Sequence, residues 1–183
     1  EGDDRLRERI KLAPESFTTA GSRLAYRFHA LKAHQSIIDV AVLSPAPGEV
    51  RLYPLLTTGL PDANMLSLVN ATCSAERVRP LTDQVETLVP IRIDYSIDAQ
   101  LVLYATANQA TTLAAVQAAA SAFAADRAAG LGRDVVPSQL TATLSVSGVY
   151  QVVLNSPALI ALAENEWANC TGITVHVTGT ANG

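Results

Sequence analysis

The sequence is poor in cysteine, aromatic and charged residues. Its two cysteines, Cys73 and Cys170, stand far apart and lack metal-site spacing, which favours two buried free thiols over a disulfide. Aromatic residues make up 5% of the chain, and charged residues make up 16%, where about 25% is usual for a globular protein. A surface so poor in charge is typical of a protein that other subunits partly cover.

Metal ligands and membrane-spanning segments are also missing. His29 and His34 are five residues apart on a predicted helix and do not share a face, and His176 lies on the polar face of a predicted strand. No signal peptide and no apolar run of about 20 residues occurs, so we expect neither a metal nor a membrane. Because the chain opens on Glu1 inside a helical pattern, we expect it to be part of a longer or processed protein.

Catalytic patterns are absent as well. The sequence has no G-x-S-x-G motif, and the lone Gly130-Leu-Gly132 turn follows a helix rather than the strand of a dinucleotide-binding motif. Asp94 and Asp98 lie four apart on one strand face, about 13 Å by strand geometry, too far for an acid/base pair. We therefore expect no catalytic residue, no cofactor and no small-molecule substrate.

The net charge of −4 is distributed unevenly. The first 36 residues hold seven Lys/Arg against five Asp/Glu, whereas the remaining 147 hold six against twelve. An acidic body argues against nucleic acid as a partner, because phosphate binding needs clustered Lys/Arg. The basic run Arg5–Arg9 is interleaved with acids, so a solvated helix face is favoured over a binding patch.

Two amphipathic helices are predicted at the start. The first covers residues 3–12 with Leu6 and Ile10 on one face, and the second covers about 19–34. The candidate N-caps of the second helix are Ser16, Thr18 and Thr19, and the apolar stripe of that helix consists of Ala20, Leu24, Phe28 and Leu31. Neither helix can bury its stripe alone, so each needs the following domain, an upstream region or another chain.

A ββαβ unit follows. Its strands are Ile37–Leu43, Glu49–Leu56 and Val85–Val89, and Asp62 caps a helix over about 63–75. The inner side of that helix consists of Met65, Leu68, Val69 and Thr72. Pro54 predicts that the second strand is an edge strand or is bulged.

Ile91–Tyr104 has the clearest strand pattern of the chain. Apolar residues hold the odd positions from Ile91 to Leu103, and polar residues hold the even positions to Gln100. The stretch is one long strand or two strands run together, and we expect a break or bulge near Ser96–Ala99. Its polar face is either solvated or covered by a neighbouring subunit.

The remainder completes a βααββ order. Thr111 or Thr112 caps a helix with Leu113, Val116, Ala120 and Phe123 inward, and Gly130 is its left-handed C-cap. Ser138 caps a short helix to about 145, Val149–Leu154 is a strand, 158–168 is strand or helix, and 173–178 is the last strand. The fold class is α+β: a helical segment (1–36) followed by two small α/β sandwich-like domains (37–90 and 91–183) with mixed or antiparallel sheets.

Short motifs in a fixed order then point to a family. They are Ala13-Pro14-Glu15-Ser16, Gly21, Tyr26, His29-Ala30, Ile38-Asp-Val40, Ser44-Pro-Ala-Pro-Gly48-Glu-Val50, Val78-Arg-Pro-Leu-Thr-Asp83, Leu131-Gly-Arg-Asp134, Gly148-Val149, Pro157 and Cys170-Thr-Gly-Ile173. The series resembles the C-terminal part of the baseplate assembly protein J family of contractile-tailed phages and phage-tail-like particles. The resemblance covers essentially the whole chain.

The resemblance implies a non-enzymatic structural role in the baseplate wedge. Expected partners are other wedge proteins and copies of the chain itself, in a virion tail baseplate assembled in the cytoplasm of the bacterial host. Arg79 pairs with Asp83 or caps a helix. The uncovered N-terminal helix makes Arg5, Leu6, Arg9 and Ile10 the candidate interface. The alternative hypothesis is a small-ligand-binding or regulatory α+β module, and an enzyme ranks third.

Overall fold

The computed structural model describes residues 3–14 and 22–182, without the side chains of residues 4, 5, 8, 9 and 12. The helices are α1 (Asp3–Leu12), α2 (Arg23–Ala33), α3 (Ala63–Cys73), α4 (Gln109–Ala128) and α5 (Pro137–Leu144). The strands are β1 (Ile37–Leu43), β2 (Glu49–Leu56), β3 (Gln84–Thr87), β4 (Ile91–Tyr104), β5 (Val149–Ser156) and β6 (Glu166–Ala181). The strands form two three-stranded sheets, which confirms the α+β class.

The chain divides into two compact units. The first consists of Glu1–Ile91 with Ala129–Leu131, and the second consists of Arg92–Ala128 with Gly132–Gly183. Each unit has its own apolar core. The division of the sequence into 1–36, 37–90 and 91–183 stays a prediction.

The sheet of the first unit has the order β1-β2-β3. β1 pairs antiparallel with β2, and β3 pairs parallel with β2. The core consists of Tyr26, Ala30, Leu31, Ile37, Val40, Val42, Val50, Leu52, Leu56, Val69 and Cys73. Three of these residues lie on α2, so that helix buries its inner face in its own unit. Of the three predicted ways of covering α2, the following domain is therefore the one that is found.

Pro54 lies on the central strand of this sheet, so the prediction of an edge strand is wrong for β2 as a whole. The pairing of β3 with β2 runs only from Glu49 to Leu52, and Pro54 lies beyond it, opposite Val40 of β1. A proline removes one ladder donor. It is tolerated here because β3 has already ended at its position.

Two details of the first unit's helices differ from the prediction. The N-cap of α2 is Ser22, whose Oγ accepts a hydrogen bond from the N–H of Ala25 at 3.1 Å. Ser16, Thr18, Thr19 and Ala20 lie outside the described residues. In α3 the buried positions are Val69 and Cys73, four residues apart on one face, whereas Leu68 is 42% exposed. The predicted cap Asp62 is confirmed, since its Oδ1 accepts from the N–H of Met65 at 2.8 Å.

The sheet of the second unit has β4 at its centre, between β5 and β6. The odd residues of β4 from Tyr95 to Leu103 are buried, as the alternation predicts. They pack with α4 and α5 through Val116, Ala120, Phe123, Leu140 and Leu144. The opposite face of β4 carries the polar residues.

β4 is unbroken over its 14 residues, so the predicted break is wrong. An irregularity does occur between Asp98 and Ala99, because their β5 partners are Ser156 and Leu154. The extra residue, Asn155, therefore lies on β5. The long central strand accommodates its neighbour's bulge without interrupting its own hydrogen bonding.

β6 runs Glu166–Ala181 and is much longer than the predicted strand 173–178. Two bonds from β6 threonines reach β4 carbonyls, Thr171 to Tyr95 at 3.0 Å and Thr178 to Leu101 at 3.2 Å. Because the partners advance together along both strands, β6 runs parallel to β4, and the sheet is mixed. The ambiguous segment 158–168 contains no helix, and its Ile160 forms an isolated bridge with Val135 before β6 begins.

The predicted caps of α4 are wrong. The Oδ1 of Asn108 accepts from the N–H of Thr111 at 3.1 Å, so the helix begins ahead of both predicted threonines. Thr112 is a buried residue inside the helix. After the helix, the residue with positive φ (63°) is Gly132 rather than Gly130, so the left-handed turn comes two residues later than predicted.

The predicted cap of α5 is also wrong. Pro137 occupies the first helical turn and Val136 is the N-cap, without a side-chain hydrogen bond. Proline suits the first helical position because its φ is preset and its missing N–H has no partner there. Ser138 therefore lies inside the helix.

Candidate assembly surfaces

The apolar stripe of α1 is largely open. The side chains of Leu6 and Ile10 are 44% and 61% exposed. The structure does not describe the side chains of the other two predicted interface residues, Arg5 and Arg9. On α2, Leu24 is 48% exposed although the rest of the inner face is buried. Among the described side chains of these two helices, three large apolar ones are therefore left partly uncovered by their own unit.

A polar cluster fixes the loop between α3 and β3. The hydroxyl of Tyr26, on α2, donates to Oδ2 of Asp83 at 2.8 Å. Arg79 donates from Nε to the carbonyl of Ser74 at 3.0 Å and from Nη1 to the carbonyl of Asp83 at 2.8 Å. Ser74 is the C-cap of α3, so Arg79 caps that helix. Arg79 also bonds Asp83, so both predicted roles of Arg79 occur, each through a backbone carbonyl. The loop 78–83 is thereby held at three points.

The buried Tyr26 hydroxyl is the most strongly perturbed titratable group of this cluster. Burial, followed by the hydrogen bond and the negative charge of Asp83, raises the pKa of Tyr26 far above its usual value of 10. A neutral phenol that donates to a carboxylate is a fixed structural contact. The cluster therefore stabilises the loop.

A second carboxylate ties three segments of the first unit together. Oδ1 of Asp39 lies 2.7 Å from the guanidinium of Arg27, and its Oδ2 accepts from the N–H of Leu131 at 2.8 Å. Arg27 also donates to the carbonyl of Val40 at 2.6 Å. These bonds use the Ile38-Asp-Val40 and Leu131-Gly-Arg-Asp134 motifs to join α2, β1 and the segment 129–131.

An open groove of about 570 Å³ lies beside β3. Its lining includes Arg51, which lies 3.8 Å from Glu49 and 3.4 Å from Glu86. Arg79 also lines the groove, but both of its bonds described above go to backbone carbonyls. Arg51 and Arg79 therefore already have partners, whereas a ligand site needs polar groups that converge on an unfilled space.

The outer face of the second sheet is polar at one end. Arg92 lies 3.1 Å from Asp94, which also accepts from the amide of Asn169 at 2.6 Å. Asp98 accepts from the amide of Asn155 at 3.1 Å. The two aspartates thus take part in separate hydrogen bonds.

The same face becomes apolar towards its other end. Tyr104 and Tyr150 meet edge to face with ring centroids 5.4 Å apart, and they are 40% and 49% exposed. Val153, opposite Gln100 in the ladder, is 42% exposed. Exposed aromatic side chains of this kind are enriched where proteins meet one another.

Cys73 and Cys170 are both free, as predicted, but Cys73 is buried whereas Cys170 is only half-buried. Burial raises the pKa of Cys73 to about 12, so this thiol is an unreactive core residue. No group of three or more potential metal ligands occurs in residues 3–14 and 22–182, and no helix there is long and apolar enough to cross a membrane.

These features define an α+β protein whose described surface carries exposed apolar side chains on α1, α2 and the second sheet. The family description "Baseplate J-like central domain" matches residues 18–88, and "Baseplate J-like protein C-terminal domain" matches residues 95–176. The chain is 34% identical over 183 residues to "Baseplate protein J" of Escherichia phage P2, covering 98% of this chain and 60% of the relative. The chain therefore belongs to the baseplate J-like family.

A solved structure shares the fold. It is titled "Cryo-EM structure of the anti-feeding prophage (AFP) baseplate, 6-fold symmetrised", and it matches with a TM-score of 0.60 at 15% identity. The match covers 93% of this chain and 42% of that chain. The present chain thus spans 60% of the phage P2 protein and 42% of the AFP chain, less than two thirds of either.

Proposed function

We propose that the chain is a structural component of the baseplate wedge of a contractile phage tail or phage-tail-like particle. The observation that carries the proposal is the 34% identity to Baseplate protein J of phage P2 over 98% of the chain. The polar clusters of the described residues agree with it, because each acts as a structural tie. Under this proposal the protein works through contacts with other proteins and catalyses no reaction.

The partners we propose are other baseplate wedge proteins and copies of the chain itself. Nucleic acid is not among them, because a net charge of −4 gives little attraction to phosphate. We place the protein in the virion, at the tail baseplate, after assembly in the cytoplasm of the bacterial host. Neither a membrane nor a small-molecule substrate has a role in this proposal.

The contact surface that we propose first is the α1 stripe, consisting of Arg5, Leu6, Arg9 and Ile10. Its support is the exposure of Leu6 and Ile10, because large apolar side chains on a short helix gain stability when a neighbour covers them. Within residues 1–36, we assign α1 to partners and α2 to the core of the first unit. The domains 37–90 and 91–183 are proposed to fold around the first and second sheets.

Co-expression tests the proposal. The full chain, with any upstream region of its gene, is produced together with the other wedge proteins of its particle, and the products are examined by light scattering and electron microscopy. We expect a defined complex of a mass that requires several subunits. A chain that remains monomeric with every partner would refute the structural role.

A ligand-binding or regulatory module is the second candidate, and the groove beside β3 is the observation that favours it. A ligand that binds the native state raises the melting temperature by mass action. A screen of anionic and cationic metabolites against the purified chain should give no shift under our proposal. A saturable shift that Arg51→Ala abolishes would support the module instead.

A further inference from the structure

One edge of the second sheet is long and open. β6 is an outer strand of 16 residues, and among the described residues no strand of the sheet lies on its far side. At about 3.3 Å per residue it offers roughly 50 Å of edge. Unpaired N–H and C=O groups along such an edge are a template for another strand.

The open groups can be assigned in the C-terminal half of β6. The carbonyl of Ala181 accepts from the N–H of Ala105, just after β4, so Ala181 faces the central strand. Because backbone groups alternate in direction along a strand, those of Thr174, His176, Thr178 and Thr180 point away from β4. At the other end, the carbonyl of Glu166 accepts from the N–H of Gly132, so that end is covered within the chain.

The other edge strands are protected by short length or by irregular pairing. β3 has only four residues, β5 has two register shifts against β4, and β1 has one irregularity against β2. Short length and bulges are the usual protection of natural sheet edges, as are lysine and proline. β6 contains no lysine, arginine or proline, and Glu166, at its covered end, is its one acidic residue.

Two glycines of β6 add an independent observation. A Cβ added at Gly172 or Gly179 would meet nothing within 4 Å, and neither glycine has a positive φ. Nothing in the described part of the chain requires a glycine at these positions. A glycine inside a strand often marks a close approach by another backbone.

We propose that β6 pairs antiparallel with β6 of a second copy of the chain, edge to edge, around a local two-fold axis. This inference rests on the proposed structural role and names one of its self-contacts. A second copy is the best candidate because, of the described edge strands, only β6 is 16 residues long and can pair along the whole of another β6. The open part of β6 also contains no Asp, Glu, Lys or Arg. An antiparallel arrangement also keeps the two Glu166 side chains at opposite ends and sets threonines opposite one another.

Disulfide trapping tests the pairing in assembled baseplates. Single cysteines replace Thr174, His176, Thr178 and Thr180, alone and in pairwise mixtures, in a Cys170→Ser background. Opposed residues of an antiparallel pair have Cα atoms about 4.5–5.5 Å apart, within disulfide reach, whereas a shift of two residues in both strands adds about 13 Å along the strand. We expect only the combinations whose two residue numbers share one sum, at most two of the set, to form linked dimers at about ten times the yield of the others.

The matched control is Gln100→Cys, which lies on the central strand, on the outer face of the same sheet. Uniform yields, no dimers, or equal trapping at Gln100 would overturn the pairing. A second variant, His176→Pro, removes an outward N–H and leaves the bonds to β4 in place. It should weaken self-association about tenfold, as the loss of one or two hydrogen bonds implies, without lowering the melting temperature of the monomer by more than a few degrees.

The two proposals fail in different ways. If the wild-type chain enters baseplates but no β6 position traps dimers, the edge pairing is refuted and the structural role stands. If the wild-type chain enters no complex with its wedge partners, the structural role is refuted, and the edge pairing falls with it.

Discussion

Replacement of Leu6 and Ile10 by aspartate separates assembly from folding. In the isolated chain these side chains are 44% and 61% exposed, so about half of each is already in water. Full burial of a leucine or isoleucine is worth about 1.5–3 kcal/mol, so the half that is buried contributes about 1 kcal/mol per residue. The double variant should therefore cost the free chain about 2 kcal/mol at most, and that loss is local to α1.

The cost in the assembly should be larger. A neighbour that covers the α1 stripe buries the remaining half of each side chain, and aspartate would then bring two carboxylates into an apolar contact. We expect incorporation to fall at least about a hundredfold, which corresponds to about 3 kcal/mol. The matched control is Leu81→Asp, because Leu81 is 95% exposed and lies in the loop before β3.

Two measurements distinguish an interface role of α1 from a core role. Thermal melting reports the stability of each free variant, and competition against tagged wild-type chain reports incorporation into the wedge complex. Equal losses in melting and incorporation would mean that α1 is core rather than interface. Normal incorporation of the double variant, or an equal defect in Leu81→Asp, would refute the proposed contact surface.

The remaining predictions concern the two units. Above pH 10 Tyr26 ionises in the unfolded chain but stays protonated in the folded protein, so the stability that it contributes is present below pH 10 and is lost as the pH rises above it. In chemical denaturation, the free energy of unfolding of Tyr26→Phe should therefore decrease less steeply above pH 10 than that of the wild type, by about 1.4 kcal/mol per pH unit. Gly148→Ala should destabilise the second unit by more than about 2 kcal/mol, because φ is +93° and the new Cβ would lie 2.6 Å from Oγ1 of Thr112. Gly179→Ala, with open space around the Cβ, should change the stability by less than about 0.5 kcal/mol; equal effects of the two alanines would contradict the packing. Residues 92–183 expressed alone should melt cooperatively with native-like amide dispersion, and a molten fragment would show that the second core needs the first unit.

Local patterning predicted the elements whose burial follows a clear period. The alternation in Ile91–Tyr104 identified both the strand and its buried face, and the turn residues bounded β1 and β2 correctly. Asp62 was predictable as a cap because it is a lone acceptor directly before an apolar periodic run. These features depend on residues close together in sequence.

The features that the sequence did not reveal depend on distant partners or on competing local signals. Tyr26 and Asp83 are 57 residues apart, and nothing in either neighbourhood identifies the other as its partner. The length of β6 was missed because Asn169–Gly172 lacks alternation, and that strand is held instead by pairing with β4. The predicted caps of α4 and α5 were wrong because Asn108 and Pro137 compete with nearby threonine or serine residues for the start of each helix.

The proposed contact surfaces were also predictable only in part. The exposure of Leu6 and Ile10 follows from a short helix with a narrow stripe, and the sequence indicated it. The open edge of β6 could not be seen in the sequence, because it depends on the order of strands in the sheet. Strand order is set by the pairing of whole strands, which no single segment encodes.

If the chain is built into a baseplate, locating the chain in intact particles is the most direct test. A compact epitope tag added to the loop at Leu81, which is 95% exposed, would be located by gold-labelled antibody and electron microscopy of purified particles. We expect several labels around one end of each tail, at the baseplate. Labels along the tail, at the head, or only in the free protein fraction would contradict it.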